Sequence, residues 1–141
     1  NRSLLAGGFV IIGYMIKNDT GLAKTRDFNM LLKYGRWTNG TFLDLKTLDL
    51  AKNTSYFPQK EDVDNFKKQL RIAITVGLKV SKSAVKRNRA RRQIREVIRL
   101  LNLKPGYYLL FVAKKAILDK NFAEISEEVK LLLKRANILI I

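Results

Sequence analysis

The sequence predicts an α+β fold, an α/β sandwich in which a small, mostly antiparallel sheet carries helices, in the order α-β-β-α-β-α. Three observations predict it. Residues 70–80 alternate strictly, with Leu70, Ile72, Ile74, Val76, Leu78 and Val80 on one face and Arg71, Ala73, Thr75, Gly77 and Lys79 on the other, the period of a half-buried strand. From Ser83 or Ala84 to Leu101 the period turns helical, with Ala90, Ile94, Val97, Ile98 and Leu101 as an apolar stripe. Tyr107 to Ala113 is a short continuous apolar run suited to a buried strand. Strand, helix and strand in that succession make a βαβ unit with the helix as crossover.

The remaining elements follow along the chain. Leu4 to Ile16 is apolar but reaches only about half to two-thirds of the roughly 20 residues a membrane span needs. Gly7, Gly8 and Gly13 weaken it further as a helix. Arg2 before an apolar run suggests a signal peptide, yet Gly13-Tyr14-Met15 makes a poor small-x-small cleavage site. From Thr25 to Tyr34, Phe28, Leu31 and Leu32 fall at i, i+3 and i+4, and Gly35 follows where a helix stops. Residues 41–50 alternate Leu43 and Leu45 with Asp44 and Lys46, a strand period. Lys52 to Gln69 is polar and contains Pro58, which predicts a long loop or partly disordered insert. Lys104-Pro105-Gly106 ends the long helix, and Ile125, Val129, Leu132 and Ala136 share one face of a last helix over 122–136.

Composition narrows the function. A chain of 141 residues, 47% hydrophobic, suits one domain with a single core. Its 28 Lys and Arg against 12 Asp and Glu give a net charge of +16, self-repulsion that a polyanionic partner relieves. The chain has no Cys and no His, which removes disulfides, thiolate and imidazole metal sites, cysteine nucleophiles and histidine bases. The carboxylates are scattered, Glu61, Asp62 and Asp64 in the polar stretch and Asp44 and Asp49 along a strand, so no paired acids for a protein nuclease stand out.

The chemistry concentrates in one segment. Lys79, Lys82, Lys86, Arg87, Arg89, Arg91, Arg92, Arg95 and Arg99 lie in one strand end and the next helix, opposed locally only by Glu96. At 100° per residue, Asn88, Arg91, Arg92, Arg95 and Arg99 fall in one arc, roughly opposite the apolar stripe. Guanidinium forks donate two hydrogen bonds to a phosphate and stay charged at any working pH, while Asn88 both donates and accepts. A merely solvated helix would alternate Glu and Lys. Here Arg87, Arg91, Arg95 and Arg99 repel at about 0.2 to 0.5 kcal/mol per pair.

The run Arg87-Asn88-Arg89-Ala90-Arg91-Arg92-Gln93-Ile94-Arg95-Glu96 resembles the signature of the bacterial ribonuclease P protein family, R-N-R-x-K/R-R-x-I/L-R-E. Val80-Ser81-Lys82-Ser83-Ala84-Val85 is similar to its lead-in, and Arg26-Asp27-Phe28 with Lys33 and Gly35 to its short N-terminal D-F-x(6)-G helix. The resemblance assigns residues 22–137 to that domain, with a polar insert at 52–69, and leaves 1–21 as an N-terminal extension that we expect to be dispensable or misassigned, with Met15 a plausible natural start. Three departures stand out. The stretch from Val76 to Val85 carries one residue more than the family's V-S-K-K-x-G-N-A-V, Leu32 stands where the family has a second helix aromatic, and residues 1–21 match nothing in it.

The resemblance implies a left-handed βαβ crossover and a division of labour. An RNA subunit, with Mg2+, would cut the 5′ leader from precursor tRNA, while this chain, without a cofactor of its own, binds that RNA and the single-stranded leader. Carried over, Lys79, Lys82, Lys86, Arg87, Asn88, Arg89, Arg91, Arg92 and Arg95 are the RNA-binding residues and Phe28 the leader-cleft candidate. An exposed aromatic contributes about 1 to 3 kcal/mol by stacking on an unpaired base, and plain packing against Leu31 is the competing role for Phe28. Tyr107 and Tyr108 read as core or sheet face, and Trp37 is open to either use. A cytoplasmic location and no membrane partner are expected. Two other classes compete: a general or ribosomal-type RNA-binding protein without a role in tRNA 5′ processing, and a membrane-surface protein using Leu4 to Ile16.

Overall fold

Both faces of the predicted strands turn out to be covered, and that decides the architecture. In the computed structural model residues 2–5, 9–13, 25–53 and 70–140 are described, with side chains described from Asn29 onward within those ranges. The elements are β1 (Arg2–Leu5), β2 (Phe9–Gly13), α1 (Thr25–Tyr34), β3 (Arg36–Asn39), β4 (Leu43–Asp49), β5 (Leu70–Thr75), α2 (Ala84–Arg99), β6 (Tyr107–Ala113), a 3-10 turn (Lys115–Asp119) and α3 (Phe122–Arg135). They form one sheet in the order β1-β2-β5-β6-β4-β3. Every pairing is antiparallel except β5 with β6, so α2 is the crossover of a βαβ unit. The α+β class and its mostly antiparallel sheet stand as the sequence predicts.

The element order needs correction. The described residues add three strands to α-β-β-α-β-α. Two of them, β1 and β2, form a hairpin within the N-terminal extension and pair with the edge of β5 through Ile11↔Thr75, Ile12↔Ile74 and Gly13↔Ala73. The third, β3, is an edge strand of four residues, Arg-Trp-Thr-Asn, too short and too polar to show a period. Its turn into β4 is held from a distance. The Glu128 carboxylate on α3, itself buried, accepts the backbone N–H groups of Thr41 at 3.1 Å and Phe42 at 2.7 Å.

The long alternating strand also ends early. β5 stops at Thr75, because Val80 N–H closes a turn on the Gly77 carbonyl at 3.0 Å, and Leu78 is exposed rather than in the core. Within β5, Ile72, Ala73, Ile74 and Thr75 are all buried. Ile72 and Ile74 face α2 and α3 with Leu109, Phe111, Ile94, Val97, Val129 and Leu132. Ala73 faces the other way and meets Leu31 of α1 with Leu48, Leu50, Tyr108 and Leu110. The sheet is therefore sandwiched between α1 on one face and α2 and α3 on the other, and its polar-out alternation is lost where helices cover both sides.

The helices end as their residues dictate. Asn121 and Glu124 form a reciprocal capping box at the start of α3, with bonds of 2.8 and 3.1 Å. At its end Asn137 takes the left-handed conformation (φ 60°), which Asn tolerates better than most residues. Ile138 then donates to the Leu133 carbonyl at 2.9 Å in the manner of a helix stop. The tail beyond it pairs Leu139 with Leu103 and buries Ile138, so the connector after α2 and the end of the chain close one corner of the core. The insert at 52–69 lies outside the described residues beyond Asn53.

Candidate nucleic-acid interface

The basic helix is anchored by the stripe that the sequence shows. Ala90, Ile94, Val97 and Ile98 are its buried residues, and burial of that stripe against β5 and α3 leaves the rest of the circumference outward. Asn88, Arg89 and Arg92 are exposed, as is Arg99, while Arg87, Arg91 and Arg95 lie half-buried along one shoulder. Lys79 and Lys82 are exposed in the loop just before the helix, and Lys86 is exposed in its first turn. The structure thus brings all nine predicted residues onto one helix and the loop that enters it.

Local bonds fix how this segment is presented. Ser83 caps α2 by accepting from Lys86 N–H at 3.4 Å, and Ser81 Oγ accepts from Ser83 N–H at 3.1 Å. Arg87 Nη1 donates to the Ser81 carbonyl at 2.9 Å, tying helix to loop. Arg91 donates to the Asn88 side-chain carbonyl, so the motif's Asn orients one of its arginines. Arg99 forms an ion pair with Glu96 at 2.9 Å, which offsets its charge. No acidic residue stands in the first turn. The positive end of the helix dipole therefore adds to Lys82, Lys86 and Arg87 instead of being offset.

A cleft of about 210 Å³ beside α2 continues this surface. Lys86, Arg89 and Gln93 line it from the helix, and Asp119 and Lys120 from the 3-10 turn side. Lys120 sits 3.9 Å from Glu124 and over the Phe42 ring at 5.5 Å.

Phe28 is not brought to this surface. It lies on α1, which packs on the opposite face of the sheet, and its side chain lies outside the described residues. On that same face Lys46 is buried, donates to the Leu32 carbonyl and lies 5.0 Å from the Trp37 ring. Burial pulls its ammonium below the ordinary value. Trp37 is half exposed and Leu32 borders solvent, whereas Tyr108 is fully buried and Tyr107 partly so. In the sequence Lys46 is only the polar beat of a strand. The lone signal was a lysine between Leu45 and Thr47 on a strand that is covered on both faces.

Among the described residues no three His, Cys, Asp or Glu side chains converge as a metal site, and no described helix is long and apolar enough to cross a membrane. Fold and surface together define a small basic α+β protein with an arginine-faced crossover helix. Comparison with known proteins places that class. The sequence model of the Ribonuclease P family matches residues 16–137, and the chain belongs to this family. The ribonuclease P protein component of a Cyanothece strain is 32% identical over 128 residues, covering 89% of this chain and 98% of that protein. The ribonuclease P protein component of a Synechococcus strain is 52% identical over 71 residues, 49% of this chain and 53% of the relative. In three dimensions the chain is similar to the ribonuclease P protein of Staphylococcus aureus, with a TM-score of 0.65 over 84% of this chain and 96% of that one at 20% identity. This last likeness concerns the fold. As a ribonuclease P protein component the chain is a subunit of an endoribonuclease whose catalytic activity lies in the RNA, and ribonuclease P RNA is its partner.

Proposed function

We propose that this chain grips the ribonuclease P RNA through the outward face of α2 and assists that RNA in removing the 5′ leader from precursor tRNA. The observation that carries the assignment is the helix itself. Its buried stripe docks on the sheet and leaves Asn88, Arg89 and Arg92 exposed with Arg87, Arg91 and Arg95 beside them, at a helix start that lacks any acid. Lys79, Lys82 and Lys86 extend the same surface to the entering loop. Arginines in this array suit bidentate contacts to phosphates, which position an RNA without reading its sequence.

The substrate side of the reading assigns the single-stranded leader to the α1 face of the sheet, with Phe28 as its candidate contact. Mg2+ belongs in this reading to the RNA-catalysed step, and the chain works in the cytoplasm without a membrane partner. A general RNA-binding protein would share the charge but would leave precursor tRNA cleavage unchanged.

Reconstitution tests the assignment. Added to a ribonuclease P RNA at low magnesium, the protein should raise cleavage of precursor tRNA, more so for a substrate with a leader of several nucleotides. Arg91→Ala, Arg92→Ala and Arg95→Ala together should weaken binding to the RNA subunit by at least about tenfold, since charge-assisted hydrogen bonds carry about 1.5 to 3 kcal/mol each, with the circular dichroism spectrum unchanged. Affinity equal to wild type at moderate salt would remove α2 from the interface.

A further inference from the structure

A second cationic cleft lies at the far edge of the molecule, away from α2. α2 packs over β5, whereas α3 packs over β4 and β3, and the cleft of about 540 Å³ opens between the edge strand β3 and the end of α3. Arg36, Lys52 and Arg135 line it with Trp37, Tyr107 and one carboxylate, Asp49. The register explains the gathering. Arg36 pairs with Thr47 and Asp49 with Tyr107, so β3, β4 and β6 each deliver a residue to one end of the sheet.

The chemistry of this lining is specific. Three cations exceed one anion, which favours a phosphate. Arg36, Lys52 and Arg135 are exposed, and Arg135 donates to the Asn39 carbonyl of β3 at 3.3 Å. Tyr107 offers aromatic surface within the cleft, of the kind that unpaired bases use for stacking, while the Trp37 ring borders it from the α1 face, where it meets Lys46. Asp49 accepts from Ala51 N–H at 3.0 Å; its carboxylate has further acceptor capacity. A carboxylate inside a phosphate-attracting cleft is unfavourable for the phosphate but accepts a hydrogen bond from a ribose 2′-hydroxyl, the group that distinguishes RNA from DNA. The volume falls in the range that encloses a ligand of nucleotide size.

We propose that this cleft seats one unpaired ribonucleotide, its phosphate between Arg36, Lys52 and Arg135, its base against Tyr107, and its 2′-hydroxyl on Asp49. It rests on the reading of the chain as an RNA-binding subunit but on none of the α2 residues. The ribonucleotide comes from a single-stranded stretch of either the RNA subunit or the substrate.

The probe is a pentamer of adenylate, as RNA and as DNA, added to the full chain. Trp37 is the single tryptophan and borders the cleft, so its emission reports occupation of the cleft beside it. The RNA pentamer should quench it. Arg36→Ala with Lys52→Ala, both exposed and remote from the core, should weaken pentamer binding on the order of tenfold, and Arg135→Ala alone should act in the same direction. Asp49→Ala should keep the pentamer bound while erasing the preference for RNA over DNA. Unchanged affinity in the Arg36/Lys52 double variant overturns the proposal. So does loss of all pentamer binding in the Arg91/Arg92/Arg95 variant with none in the double variant, a result that leaves the α2 reading standing. In the reconstituted holoenzyme, weaker assembly in the double variant assigns the nucleotide to the RNA subunit. Weaker binding of precursor tRNA only when it carries a leader assigns it to the substrate.

Discussion

Lys46 shows how one side chain records the layering of this fold. It is buried between α1 and the sheet, bonded to the Leu32 carbonyl and set against Trp37. Burial disfavours its charged form, so its value in the folded chain falls below the ordinary 10.5. The unfolded chain then binds more protons between the depressed value and 10.5, and stability contributed through Lys46 rises with pH across that window. Lys46→Met should therefore be most favourable at neutral pH, where the wild type holds a desolvated charge, and the wild type should gain on the variant as pH climbs toward 10.5. Denaturant melts of both proteins at several pH values measure the difference, in which groups common to both cancel. A gap between them that widens toward alkaline pH would contradict this account. At this scale the sequence was legible where like residues run together, as from Arg87 to Arg95. Arg36, Lys52 and Arg135 are each an ordinary surface cation in the sequence, and only the pairing of β3 with β4 and the reach of α3 gather them.

At the scale of elements, α2 carries two demands that conflict. A helix start is stabilised by an acidic cap and acidic first turn, but α2 has Ser83 as its cap, bonded at a long 3.4 Å, and no acid in the first turn. α3, which faces no such demand, has the complete Asn121 and Glu124 box. Ser83→Asp should raise stability by about 0.5 kcal/mol and at the same time weaken binding to the RNA subunit, because it sets a negative charge among Lys82, Lys86 and Arg87. A thermal melt and a binding titration on the same variant should move in opposite directions. Movement in the same direction would show that the cap is unrelated to the interface. The periods that identify α2, β4 and β6 were legible because each has an apolar side facing a packed layer. β3 was not legible, since its four residues are held by a hairpin and by Glu128 rather than by burial of their own. The end of β5 was missed for the opposite reason: Leu78 and Val80 continue the alternation after the backbone has turned at Gly77.

For the whole molecule the governing quantity is its charge of +16. Binding to the RNA subunit should weaken steeply with salt, with a log-log slope of about 0.7 to 0.9 for each phosphate neutralised. The Arg91, Arg92 and Arg95 triple variant should lower that slope by about two to three. A slope equal to wild type would mean that these guanidiniums meet no phosphate. Removing residues 1–14 tests the N-terminal hairpin in the same assay: the hairpin pairs with β5, yet family similarity begins at residue 16, and RNA affinity should be retained.

The parallel pairing of β5 and β6 has a consequence in time as well as in space. Those strands meet only after the chain has travelled through α2 and back, a contact of long sequence separation of the kind that slows folding. An isolated α2 would be a row of repelling arginines with little to hold it helical. Its apolar stripe finds its seat when both central strands are in place. The arginine array therefore takes its final arrangement only once β6 is in place beside β5, and a chain that ends before Tyr107 lacks the strand that completes this pair.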